Sequence, residues 1–174
     1  NGAELVDAVL KTPAKDIWAA RDVTGESMLE TAVRYSGKLA VLNTFGEPKR
    51  SFDRSLIPHG IFIMLEVAIV GLIEHQARAA GLDPNTRTLR MDSMAHSKLV
   101  KDKRGMVKIV VAKQDERLLE GLYLPPHYRD YQVSILAVSR HLPVHELADI
   151  CPLFPTTGEA SSVSARRFRN RGHR

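Results

Sequence analysis

The sequence predicts a mixed α/β chain whose larger part is an α+β domain, an antiparallel sheet with helices packed on one face. Three observations carry that reading. Strand-like runs come first and helix-like runs follow in the later part of the chain, from Ser51 onward. Two polar turn clusters, Asp102 to Gly105 and Gln114 to Arg117, bracket the apolar run MVKIVVAK. The 174 residues are 44% hydrophobic and 26% charged, enough to bury the core of one ordinary domain or two small ones.

In order along the chain, Ala3 to Lys11 alternates apolar and polar residues until Thr12-Pro13 breaks the pattern. Asp16 to Ala20 (DIWAA) reads as a short buried strand that ends at Arg21-Asp22. Thr24 to Ser27 supplies turn chemistry and an N-cap for a helix over MLETAVRYSGKLAVLN, with Leu29, Ala32, Val33, Leu39 and Leu42 near helical spacing. Gly46 to Arg50 (GEPKR) reads as a linker. The expected organisation is therefore a first segment, 1–50, a second, 51–163, and a basic tail, 164–174.

The second segment opens on LIPHGIFIMLEVAIVGLI (Leu56 to Ile73), which is nearly long enough to cross a bilayer. Glu66 stands close to its middle, where a carboxylate is costly in lipid, so the run is read as a fully buried strand. EHQARAAG is a short helix with Gly81 at its C-cap. Thr86 to Met91 and Ser97 to Val100 read as strands, followed by MVKIVVAK and LLEGLYL, which make an antiparallel meander that Pro125-Pro126 ends. Tyr131 to His141 and Val144 to Ile150 are expected as helices parted by Leu142-Pro143.

Charge and cysteine count narrow the function classes. A formal net charge of +5 permits contact with polyanions but dictates no fold. One cysteine, Cys151, excludes a disulfide framework, a CxxC zinc site and a dithiol pair within this chain. His141, His145 and Cys151 do not make a convincing zinc set, because Pro143 interrupts the helix that would align the histidines. They are read as surface histidines and a packed cysteine, and no metal is expected. HELAD followed by SSVSARRFRNR imitates a helix-turn-helix, but Pro152 and Pro155 fall inside it, so nucleic acid is not expected as a partner. Two acidic residues and no basic n-region at the start argue against a signal peptide, and a cytoplasmic protein is expected.

Four pieces, in order, resemble the C-terminal half of the FAD-dependent pyridine nucleotide–disulfide oxidoreductases, on the mercuric reductase and dihydrolipoamide dehydrogenase branch. They are VDAVLKTPAKDIWAARDVTG (Val6 to Gly25), EVAIVGLIEHQARAAGLD (Glu66 to Asp83), RGMVKIVVAKQDERLLEG (Arg104 to Gly121) and VHELADICPLFPTTGEA (Val144 to Ala160). The first is similar to that family's second flavin-binding signature, the second and third to the opening and central hairpin of its dimerisation domain, and the fourth to its C-terminal catalytic segment. The resemblance implies the end of an FAD-binding domain followed by an α+β dimerisation domain. It implies FAD as cofactor, NAD(P)H as electron donor for the complete enzyme, a homodimer, an N-terminal FAD- and NAD(P)-binding half as partner, and no membrane. Asp22 and Val23 would then hold the flavin, with Met28, Leu29 and Glu30 nearest its ring, and Glu159 would serve the active site of the other subunit. Arg21 stands where the family has glycine, and Phe154 where its disulfide reductases have the proton-carrying histidine. Neither GxGxxG nor the redox-active Cys-x4-Cys is present. The complete activity implied is electron transfer from NAD(P)H through FAD to a disulfide or metal-ion acceptor; a non-catalytic dimerisation module is the alternative, and a nucleic-acid binder using the basic tail the third.

Overall fold

A computed structural model describes residues 2–25, 28–124 and 131–169. The chain forms two compact units, Asn1–Ile57 and Pro58–Arg174.

The first unit is built on one helix, α1 (Glu30–Phe45), which buries Ala32, Ser36, Leu39 and Asn43 on one face. Its start lies two residues later than the sequence pattern places it, because Leu29 is still extended; the Ser27 cap falls outside the described residues. Asn43 replaces the usual apolar anchor. Its Nδ2 donates to Val9 O at 2.9 Å and Arg50 O at 2.8 Å, and its Oδ1 accepts from Arg50 N at 2.8 Å. A buried amide left unpaired is expensive, so this clamp fixes both loops to the helix. The GEPKR stretch is thereby held inside the unit rather than hanging free between units. The DIWAA strand is not there. Asp16 turns with φ 58°, Ile17 is exposed, and only a single bridge, Lys11 to Trp18, remains of the pairing.

The second unit is a five-stranded antiparallel sheet in the order β1-β2-β5-β4-β3, from β1 (His59–Ile61), β2 (Val67–Gly71), β3 (Pro84–Arg90), β4 (Met106–Ala112) and β5 (Leu118–Leu124). The β4–β5 hairpin forms where the two apolar runs and the polar turn between them place it. The buried strand expected over Leu56 to Ile73 is two strands instead, joined through a turn at which Phe62, Ile63 and Met64 are exposed. Apolar composition marked the run, but it has no period by which the turn could be seen. Ser97 to Val100 is likewise not a strand: α3 (Ala95–Leu99) takes most of it, seated by the buried Met91 and Met94. The sheet is completed by β3, not by that segment.

Three helices close the second unit: α4 (Gln132–Ser139), α5 (Val144–Asp149) and α6 (Glu159–Ala165). They cover the face that carries Gly121 and Tyr123. A Cβ on Gly121 would meet the Ser134 side chain of α4 at 3.0 Å, and the Tyr123 hydroxyl pairs with Ser134 and lies 3.1 Å from Ser161 Oγ of α6. The short α2 (Glu74–Ala79) packs Ala77 against Val110, Ala112 and Leu119. Gly71, with φ +94°, lets β2 end against β5; a Cβ there would fall 1.9 Å from Leu119 O. Pro125-Pro126, expected to end the sheet, lies outside the described residues.

Candidate functional site

In the first unit the flavin-side candidates sit on one exposed stretch. Asp22 and Val23 belong to a 3-10 turn, Arg21–Thr24, capped by Gly25 in the left-handed region, whose N–H donates to Asp22 O at 2.9 Å. The chain's start braces this turn, since Glu4 N donates to Val23 O at 2.9 Å. Arg21 has φ 73°, a conformation that favours glycine. At the position where the resemblance puts a glycine, the backbone thus has a conformation that suits glycine better than arginine. Asp22 is exposed, and its carboxylate has no hydrogen-bond or ion-pair partner among the described residues. Val23 is 51% and Met28 76% exposed, while Leu29 is half-buried at the helix N-cap. Glu30 is ion-paired with Arg34 one turn along α1.

These residues fit a flavin in three respects. The carboxylate is free to accept a hydroxyl donor. Val23 and Met28 offer apolar surface of a kind a ring would cover. The first turn of α1 brings the positive end of a 16-residue helix to the same stretch.

In the second unit Glu159 opens α6 and is 7% exposed, and its backbone O accepts from Ser162 Oγ at 3.0 Å. Phe154 is 69% exposed on the loop before it, next to the exposed Leu153. Cys151 is exposed, not packed as expected from sequence. Among the described residues no group of three His, Cys, Asp or Glu is placed to hold a metal. Ser164, Ala165 and Phe168, assigned from sequence to a solvated basic tail, are buried. The helix that imitates a recognition helix, α6, faces the core along most of its length. Residues 170–174 of the tail lie outside the described set. No helix among the described residues is long and apolar enough to cross a membrane.

The sequence did not single out Glu120, a fully buried carboxylate on β5 whose Oε2 lies 3.0 Å from Lys108 Nζ of β4. Burial pushes its pKa up, and the neighbouring ammonium only partly opposes this. A glutamate inside LLEGLYL, beside a lysine in the facing MVKIVVAK, was the available signal.

Comparison with known proteins covers both units. The family model for the pyridine nucleotide-disulphide oxidoreductase dimerisation domain matches residues 57–165. The chain belongs to this oxidoreductase family. It is 30% identical to a mercuric reductase of Streptomyces lividans over 97% of this chain and 36% of that protein, and 28% identical to dihydrolipoyl dehydrogenase 2 of Haloarcula marismortui over the same shares. Among solved structures, LpdA from Mycobacterium tuberculosis superposes with a TM-score of 0.88 at 25% identity, over 97% of this chain and 37% of that one. The flavoprotein disulfide reductase RclA from Escherichia coli gives 0.81 at 28% identity, over 97% and 39%. The chain thus spans little more than a third of the relatives it matches. The mixed fold with its antiparallel dimerisation-type sheet is the family's own.

Proposed function

We propose that this chain is the C-terminal part of a flavin-dependent oxidoreductase that passes electrons from NAD(P)H to a disulfide or metal-ion acceptor. What supports the reading is the continuity of the likeness: it runs through 97% of the chain, across both units in the family's order. FAD, when bound, supplies the two-electron relay between nicotinamide and acceptor. In this reading the Asp22 carboxylate accepts a hydrogen bond from a ribityl hydroxyl of the cofactor. Val23 and Met28 shield its apolar surface from water, and the unpaired backbone N–H groups of the α1 N-terminus, where Leu29 and Glu30 lie nearest the ring, stabilise negative charge on the reduced ring. Glu159 is the carboxylate that serves the partner subunit's site, so the working unit is a homodimer completed by an N-terminal nucleotide-binding half, in the cytoplasm.

Phe154 limits the chemistry. A phenyl ring neither takes nor gives a proton, so this segment cannot act as acid–base toward a thiol in the way a histidine does there. That observation means that no acceptor, disulfide or metal ion, draws a proton or a metal ligand from this position. It is also the one that keeps a second reading open, a dimerisation module without redox activity.

The test is flavin retention by the intact polypeptide that contains this chain. Asp22→Ala is expected to weaken FAD retention by about tenfold, the worth of one hydrogen bond to a charged group, with unchanged thermal stability because the side chain is exposed. Retention equal to that of the parent would reject the role given to Asp22. A colourless parent protein that is nevertheless dimeric would favour the second reading.

A further inference from the structure

A cavity of about 460 Å3 opens in the second unit between β3, the β4–β5 turn and the chain following α6. Its floor is apolar and deeply buried: Val111, Ala112 and Val144. Its walls carry four cations, Arg87, Lys113, Arg167 and Arg169, against one acid, Glu116. Two of the four are already compensated. Lys113 Nζ lies 2.8 Å from Asp83 Oδ2, and Arg169 is paired with Asp149.

The other two are not. Arg87 Nη1 donates to Asn85 Oδ1 and to Thr86 O, each at 2.9 Å, and its guanidinium carbon lies 5.5 Å from the centroid of the Phe168 ring. Arg167 Nη1 donates to Thr88 O at 2.6 Å. All of these partners are neutral, and neither guanidinium has a carboxylate within ion-pair distance among the described residues. Each keeps Nε and Nη2 for something else. Both are also held in place, one stacked on an aromatic face and the other tied to a strand carbonyl, so little side-chain freedom remains to be lost on binding.

We propose that this cavity binds a small phosphorylated anion, with Arg87 and Arg167 as the ligating pair. Planar guanidinium forks match phosphate oxygens bidentately, and two uncompensated forks call for more than one negative charge. The volume is that of a small-molecule site; a polymer backbone would instead need an extended basic stripe. Glu116, exposed on the β4–β5 turn and without an ion-pair partner among the described residues, opposes the ligand and sets the limit on affinity.

The site lies wholly within the second unit and owes nothing to the flavin reading. Calorimetric titration of the full chain with inorganic pyrophosphate is expected to give saturable one-to-one binding. Arg87→Gln and Arg167→Gln should each weaken it by about tenfold, the cost of one charge-assisted pair, and Glu116→Gln should strengthen it several-fold. Lys15→Gln, which removes the same charge from the other unit, should leave it unchanged. ADP should compete with pyrophosphate if the natural ligand is a nucleotide, and orthophosphate alone if it is the inorganic ion. No saturable binding would overturn the proposal, as would equal weakening by Lys15→Gln. If Arg167→Gln fails to fold, the opposite signs expected for Arg87→Gln and Glu116→Gln still decide the matter.

Discussion

At Arg21 sequence and backbone disagree. A left-handed conformation costs an L-residue with a Cβ about 1–2 kcal/mol, and among the described residues its side chain makes no hydrogen bond that offsets this. Arg21→Gly is therefore expected to raise the stability of the first unit by about 1 kcal/mol, after the greater unfolded-state entropy of glycine is counted. Urea unfolding of parent and variant would measure it, and a lower midpoint for the variant would contradict the strain argument. The pair Asp22 and Glu159 shows what could be read from sequence at this scale. The identity and position of each carboxylate came from motif order. That one is exposed at a turn and the other buried at a helix start came only from the fold, since Asp22 ends no strand and α6 is turned inward.

Among the elements, β4 and β5 were legible because short apolar runs, the first of them rich in β-branched residues, and polar turns coincide in MVKIVVAK and LLEGLYL. The helices α4 and α5 were legible through length and the Leu142-Pro143 break. The run Leu56 to Ile73 was not, because continuous apolar residues carry no register and the exposed Phe62 to Met64 turn has none of the usual turn residues. The Lys108–Glu120 pair is where β4 and β5 depart from a purely apolar surface, and it makes sheet stability depend on pH. Glu120 is held above the ordinary carboxylate range, chiefly by burial. The native state therefore keeps its proton longer than the unfolded chain does, and the stability this group contributes is fully present below the ordinary range and lost as pH climbs through the raised value. Glu120→Gln should flatten that decline. Melting temperatures of parent and variant across the acid-to-neutral range would show the two curves diverging as pH rises; parallel curves would mean that Glu120 does not titrate differently on folding.

At the scale of the whole molecule, the likeness covers both units while the chain spans about a third of its relatives' length. The proposed function ties together the exposed carboxylate, apolar side chains and helix N-terminus of the first unit with the dimerisation-type sheet of the second. The most direct measurement is the visible spectrum of the intact polypeptide, recorded anaerobically before and after addition of NADPH or NADH. The account predicts bound-flavin absorbance that bleaches when one of the two donors is added. A purified, folded protein with no flavin absorbance, or with a flavin that neither donor reduces, would contradict it.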